Sequence, residues 1–154
     1  MPAALTPRPL LIALISLLAS LHTASALAQA ATPVKPQGCV YGHEASERDI
    51  GYCQAVRSGN MLYISGIVAA GPMDKAVPQV YEELRQVLKR QGLDFSNVVK
   101  ENLYATDLPA MLTQMEARKR FYAGATPAAT WAQVQKLFAP ELVLEVELIA
   151  AFPR

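Results

Sequence analysis

The chain has 154 residues, with 14 basic and 13 acidic side chains, two histidines and a net charge of +1 at pH 7. This length suits one ordinary domain. The near-neutral charge, with no basic stripe or aromatic-interleaved patch, argues against nucleic acid as a partner. The densest basic cluster, Arg118-Lys119-Arg120, is typical of a solvated helix face.

The first 30 residues have the features of a secretory signal peptide. Arg8 is their only charged residue, Leu10 to Leu21 form an apolar run, and Ala28-Gln29-Ala30 fits the small-x-small cleavage pattern, although similar triplets just upstream compete with it. The run is shorter than the roughly 20 residues of a membrane-spanning helix. We therefore expect cleavage, a periplasmic or secreted protein, and no membrane attachment afterwards.

These signals divide the chain into three parts. We predict a signal peptide over residues 1–30, an N-terminal arm over 31–49 and one folded domain over 50–154. Cys39 and Cys53 form an even pair, which permits a disulfide in an oxidising compartment, and two unpaired thiols are the alternative. With His43 they give no recognised zinc spacing, and no glycine-rich phosphate loop occurs. We expect neither a metal nor a cofactor.

The predicted strands, in chain order, surround two helical segments. The expected strands are Cys39–Tyr41, Gln54–Arg57, Met61–Ser65, Val98–Ala105, Thr130–Leu137 and Val143–Phe152. Ser58-Gly59-Asn60 favours a hairpin turn between the second and third. Ala70-Gly71-Pro72 ends the third strand region, and the polar segment His43 to Ile50 is predicted to be a loop.

Two helices are predicted from apolar residues at three- and four-residue spacing. The first has a stripe of apolar side chains: Val77, Val80, Tyr81, Leu84, Val87 and Leu88. Pro78 suits its first turn, and Gly92 supplies a left-handed stop. The second runs from Pro109 to Tyr122, with its period set by Met111, Leu112, Met115, Arg118 and Phe121.

This element order predicts an α+β fold with a single mixed six-stranded sheet and both helices on one face. The other face is expected to present a broad apolar surface, which oligomerisation would cover. That face carries either Val99, Leu103, Trp131 and Leu144 or their neighbours of opposite parity.

Several motifs agree in order and spacing with one family. They are Ile50-Gly51-Tyr52-Cys53-Gln54-Ala55-Val56, Asn60, Ser65-Gly66, Asn97-Val98-Val99-Lys100, Thr106-Asp107-Leu108, Thr126-Pro127-Ala128 and Glu145-Val146-Glu147-Leu148-Ile149-Ala150. Over about Ile50 to Ala151 the chain resembles the RidA/YjgF family of imine and enamine deaminases. The loop after Ser65-Gly66 is shorter than usual in that family. The resemblance implies a YjgF/chorismate-mutase-like fold, a homotrimer, and small-molecule clefts between subunits.

The resemblance also assigns roles to residues, and it fails at a decisive one. Family deaminases pair the substrate carboxylate with an arginine after the Pro-Ala pair, where this chain has Ala129. Met115 stands where the family has an asparagine, and Trp131 stands in the usual cysteine position. The family's tyrosine, serine and glutamate are retained. They are Tyr52, Ser65 and Glu145, with Glu145 implied to hold the attacking water.

Purely structural roles are also open for these residues. Glu145 shares a strand face with Glu147, so both suit a solvated face or intersubunit ion pairs. Trp131 suits barrel core as well as a pocket wall. A second arginine, Arg57 or Arg118, is a candidate to replace the missing one, although loss of the carboxylate anchor is the simpler interpretation.

We therefore expect an exported homotrimer whose intersubunit clefts bind or hydrolyse a small uncharged or aromatic imine- or enamine-type metabolite. It is not expected to be an ordinary 2-imino acid deaminase, because alanine lacks the planar donor fork that grips a carboxylate. The alternative is a non-catalytic, holdase-like trimer with a structural or protein-interaction role. The ribonuclease activity ascribed to some relatives fits the neutral charge poorly.

Overall fold

The computed structural model describes residues 38–153 of the chain. The predicted signal peptide and residues 31–37 of the predicted arm lie outside these residues. Within them, strands and helices form an α+β fold built on one mixed six-stranded sheet, in the order β1-β2-β3-β6-β4-β5, which confirms the predicted class. No helix in residues 38–153 is both long enough and apolar enough to span a bilayer.

The strands are β1 Cys39–Val40, β2 Ala55–Ser58, β3 Met61–Ala70, β4 Val98–Ala105, β5 Ala128–Gln133 and β6 Leu142–Ala151. Neighbouring strands are antiparallel except β4 and β5, which are parallel. β6 therefore lies at the centre between β3 and β4, and β5 forms an edge. This arrangement places Leu103 of β4 beside Trp131 of β5.

The helices are α1 Glu44–Ile50, α2 Met73–Arg90, α3 Leu108–Leu112 and α4 Met115–Tyr122. α2 packs on β3 and β6, and α4 packs against α2. Every residue of the predicted apolar stripe of α2 is buried. Gly92, at φ +71°, ends α2, and its N–H donates to the carbonyl of Lys89 as predicted.

Burial and register decide which sheet face lies under the helices. On this helix-covered face Glu101, Leu103 and Leu144 are fully buried. The neighbours of opposite parity form the open face, and they are Tyr63, Lys100, Asn102, Tyr104, Val143, Glu145, Glu147 and Ile149. The open face is less apolar than predicted, because charged and amide side chains lie on it among the apolar and aromatic ones. Asn102 donates to Glu147 across this face at 2.5 Å.

The segment His43 to Ile50, predicted to be a loop, contains α1 instead. Its stability comes from a buried carboxylate rather than from an apolar stripe. Glu47 is only 2% exposed and accepts hydrogen bonds from the backbone N–H groups of Gly42, His43 and Gln54 at 2.8–3.2 Å. The helix ends at Gly51 in the left-handed conformation.

Several other boundaries differ from prediction; β3, for example, extends to Ala70 and not only to Ser65. Pro78 lies inside α2, which begins at Met73. The predicted second helix is interrupted after Leu112, where the Thr113 hydroxyl donates to the Ala110 carbonyl at 2.7 Å. β5 starts and ends earlier than Thr130–Leu137, since its pairing with β4 stops where β4 ends, at Ala105.

Candidate functional site

The residues predicted for one site line two separate cavities of the protomer. Met115, Ala129 and Trp131 line a cavity of about 400 Å³, here called the Trp131 cavity. Tyr52, Ser65, Gly66, Val68, Phe138 and Glu145 line another of about 310 Å³, here called the Glu145 cavity. A single protomer therefore does not bring the six predicted residues together.

The separation follows from the sheet. Trp131 belongs to the edge strand β5 and points toward Glu101, so it lies at the helix-covered side. Glu145 sits on the central strand β6, directly across from Tyr104 on the open face. The two side chains therefore lie on opposite faces of the sheet.

The Trp131 cavity is backed by a buried polar network that the sequence did not reveal. The fully buried carboxylate of Glu101 accepts five contacts. Its Oε1 atom is contacted by Arg118 Nε at 2.9 Å, Arg118 Nη2 at 2.8 Å and Trp131 Nε1 at 2.9 Å. Its Oε2 atom accepts hydrogen bonds from the hydroxyls of Tyr81 at 2.8 Å and Tyr122 at 2.5 Å. The carboxylate is satisfied on both oxygens, as a buried charge requires.

Electrostatics within this network hold its ionisation states. Burial acts to lower the pKa of Arg118, but the Coulomb attraction and hydrogen bonds of Glu101 outweigh it, so the pKa is raised. Burial, followed by the charge of Glu101, raises the pKa of both Tyr81 and Tyr122. Arg118 therefore stays a cation, and the two tyrosines remain hydrogen-bond donors to the Glu101 carboxylate.

Arg118 is the candidate arginine that lines the same cavity as Ala129. Its guanidinium carbon lies 4.6 Å from the Tyr122 ring centroid and 5.1 Å from that of Trp131, and the side chain is 8% exposed. Arg57, the other candidate, lies over the Phe152 ring at 4.0 Å and donates to the Gly59 carbonyl. Arg57 lines neither cavity.

The Glu145 cavity combines a partly desolvated acid with exposed apolar side chains. Burial, and then the charge of Glu147, raises the pKa of Glu145. Its side chain lies directly on Gly66, since a Cβ built there would approach the Glu145 carboxyl carbon to 2.7 Å. Phe138 is 91% exposed and Tyr52 is 44% exposed. The cavity therefore offers an acid of reduced acidity beside an apolar rim.

Comparison with known proteins shows the family to which this chain belongs. Residues 44–152 match the family model described as Endoribonuclease L-PSP. The chain belongs to this family, the RidA/YjgF family. Protein DfrA of Myxococcus xanthus is 35% identical over 97 residues, covering 56% of this chain and 74% of the relative. The mouse 2-iminobutanoate/2-iminopropanoate deaminase is 35% identical over 108 residues, covering 64% of this chain and 79% of the relative.

Solved structures of the family share the fold. A YjgF/YER057c/UK114 family member from Mycobacterium tuberculosis superposes with a TM-score of 0.68 at 23% identity, covering 74% of this chain and 98% of that one. Yeast Mmf1 gives a TM-score of 0.63 at 22% identity, covering 79% and 98%. At these identities the likeness concerns the fold alone.

In this member of the RidA/YjgF family, a covalent link lies next to the motif tyrosine. Cys39 and Cys53 are paired through their Sγ atoms, with Cα atoms 5.4 Å apart. The Ser65 hydroxyl donates to the Cys53 carbonyl at 2.6 Å. The pairing thus ties β1 to the segment that carries Tyr52, and Ser65 has a structural contact in addition to its place at the Glu145 cavity.

Glu101, which lies behind the Trp131 cavity, and Phe138, which lines the Glu145 cavity, were not predicted from the sequence. Glu101 carried a readable signal, because it has the same strand parity as Leu103 and Ala105 and so belongs on the buried face of an alternating strand. Phe138 carried none, since a single aromatic residue in a loop does not indicate a cavity.

Proposed function

We propose that this chain is an exported, trimeric RidA/YjgF-family protein that binds, and hydrolyses through Glu145, a small neutral or aromatic imine- or enamine-type compound. The cleft would form between subunits, where the Trp131 cavity of one copy meets the Glu145 cavity of the next. Ordinary 2-imino acids, which carry a carboxylate, are not its substrates. Export is supported by the pattern of the first 30 residues and by the paired cysteines.

The single observation that carries this proposal is the state of the guanidinium beside Ala129. The methyl group of Ala129 offers nothing to a carboxylate. Arg118, the arginine that lines the same cavity, is held by Glu101 through both Nε and Nη2. A substrate carboxylate would therefore be attracted only weakly, because the positive charge of Arg118 is neutralised by Glu101. The Glu101 carboxylate would also repel it.

Glu145 is suited to the chemical step. In imine hydrolysis, water adds to the C=N carbon and gives a proton to a base, while the imine nitrogen takes up a proton to form a carbinolamine. Transfer of the hydroxyl proton to that nitrogen accompanies cleavage of the C–N bond, which releases ammonia and leaves a carbonyl. A carboxylate with a raised pKa is a better base than an ordinary one. Glu145 has that property, and the Tyr52 hydroxyl and Ser65 line the same cavity.

The test compares two substrates that differ at one group, a carboxylate in one and an uncharged amide in the other. 2-Aminoacrylate and its uncharged amide are generated in situ, and ammonia release by the purified protein is measured for each against the uncatalysed rate. We expect acceleration of the amide, little acceleration of the acid, and loss of the amide reaction in Glu145→Gln. Turnover of the acid comparable to that of an arginine-containing relative would overturn the proposal. Failure to accelerate either compound would favour the non-catalytic, holdase-like role.

A further inference from the structure

The wall of the Trp131 cavity has a chemical character of its own. It combines an indole face, a thioether and a guanidinium edge, from Trp131, Met115 and Arg118. The indole is 37% exposed, although its Nε1 is bonded to Glu101. A planar ligand can therefore lie against the exposed part of the ring without breaking that hydrogen bond.

Arg118 keeps donors available on this wall. Its Nε and Nη2 contact Glu101, whereas Nη1 has no hydrogen-bond partner among residues 38–153. No buried side-chain nitrogen in the described part of the chain lacks a partner. Nη1 is thus the portion of the guanidinium that reaches the cavity, where it can donate to a ligand acceptor.

The low net charge of this wall favours a neutral hydrogen-bond acceptor over a carboxylate. The Glu101 carboxylate lies within 2.8–2.9 Å of the guanidinium. The Arg118 N–H groups that face the cavity therefore carry little net positive charge. A carboxylate would give up its hydration and gain little Coulomb attraction in return. A neutral carbonyl oxygen gives up less hydration and still receives the hydrogen bond.

We propose that the Trp131 cavity is a subsite for a planar, uncharged, carbonyl-bearing group such as an aromatic amide, stacked on Trp131 and hydrogen-bonded to Arg118 Nη1. Met115 in place of an amide side chain suits this class, because a thioether packs favourably against aromatic rings. The inference deepens the proposed function, since it names the part of the ligand that the remodelled wall recognises.

Three small probes separate the claims. Benzamide, benzoate and cyclohexanecarboxamide are titrated against the full mature protein, with binding followed by calorimetry and by tryptophan emission. The chain has one tryptophan, so the emission reports on Trp131 itself. We expect benzamide to bind at least about tenfold more tightly than benzoate, a difference of roughly 1.4 kcal/mol, and more tightly than the saturated amide.

Glu101→Gln sharpens the test, because it removes the anion and leaves the Arg118 cation uncompensated. The preference should then reverse, with benzoate binding more tightly than benzamide. Arg57→Gln, which alters an arginine stacked on an aromatic ring outside both cavities, serves as the matched control and should leave the preference unchanged. If Glu101→Gln does not fold, the wild-type comparison stands alone.

Tighter binding of benzoate than of benzamide by the wild-type protein would overturn the inference, as would equal affinity for the aromatic and saturated amides. Absence of binding by all three probes would also overturn it. None of these results decides the 2-aminoacrylate experiment, which measures turnover, so the failure of this subsite can be told apart from the failure of the proposed function.

Discussion

Glu101 and Arg118 form a buried ion pair between β4 and α4, with Oε1 of Glu101 2.9 Å from Nε and 2.8 Å from Nη2 of Arg118. Two tyrosines and Trp131 complete the coordination of the carboxylate. The pair ties the helical layer to the sheet and at the same time forms the back wall of the Trp131 cavity. Stability and ligand recognition therefore depend on the same contacts.

Breaking this pair should be costly. Arg118→Met leaves the Glu101 charge buried without its cation, and such losses typically destabilise proteins by about 3–5 kcal/mol. We expect a loss of that size in the free energy of unfolding, measured by urea denaturation. The double variant Glu101→Met with Arg118→Met should recover most of it, because no unpaired charge remains.

The neighbouring exposed ion pair provides the control. Lys119 and Glu116 are 2.7 Å apart, with their side chains 61% and 76% exposed. Lys119→Met should leave the unfolding free energy unchanged within error, because water screens such pairs. Equal effects of the changes at positions 118 and 119 would contradict the role given to the buried pair.

The disulfide makes a second measurable contribution. Cys39 and Cys53 are 14 positions apart, and closing a loop of this size stabilises a protein by about 3 kcal/mol in the chain-entropy description. Reductant should therefore lower the Tm of the wild-type protein. The double variant Cys39→Ser with Cys53→Ser should start from the lower Tm and show no response to reductant. If reductant does not lower the wild-type Tm, even when it is added to unfolded protein before refolding, the cysteines are unpaired in solution.

Gly66 leaves the space that the Glu145 side chain occupies. A methyl group at this position meets the carboxyl carbon at 2.7 Å and the Cγ at 2.8 Å. Gly66→Ala should displace the Glu145 carboxyl, cost about 1–3 kcal/mol of stability and reduce amide turnover to the level of Glu145→Gln. Adding Glu145→Ala to Gly66→Ala should restore stability but not activity, which thermal melts and ammonia release measure separately.

Glu145 also predicts a pH dependence. Because its pKa in the folded protein lies above the ordinary value of 4.5, the folded state holds the proton more tightly than the unfolded state does. Stability then falls as pH rises from about that ordinary value through the raised one. Glu145→Gln removes this loss, so it should be more stable than wild type at neutral pH and indistinguishable below the ordinary glutamate pKa.

The size of this effect is limited by solvent. Glu145 is only partly buried, and we expect a difference below about 1 kcal/mol. The matched control is Glu44→Gln on the exposed face of α1, which should show no such gain at neutral pH. A Glu145→Gln variant less stable than wild type at neutral pH would contradict the direction of the shift.

The sequence was a good guide wherever apolar periodicity decided the structure. The bounds of β4 and the buried stripe of α2 follow directly from the spacing of their apolar residues, as does the left-handed stop at Gly92. α1 could not be predicted in this way. Its seven residues lack an apolar stripe, and it is stabilised through Glu47 by backbone groups that only the folded chain brings near.

The sequence names candidate site residues but does not give their arrangement. Motifs single out Tyr52, Glu145 and Ala129, yet no motif states that β5 is an edge strand or that Glu145 faces away from the helices. The partners of Glu101 lie 17 to 30 positions away in sequence. Local spacing carries no information about contacts of that range, so the network emerges only from the tertiary structure.

Ala129→Arg tests most directly whether Ala129 deprives this RidA/YjgF-family protein of a carboxylate anchor. The measurement is kcat/KM for 2-aminoacrylate in the wild-type and variant proteins, with the uncharged amide as the reference substrate. We predict that the variant gains at least about 10²-fold on the acid, the scale on which lost positioning alters rates, without a matching gain on the amide. A wild-type protein that already hydrolyses the acid efficiently, with no gain from Ala129→Arg, would contradict the account.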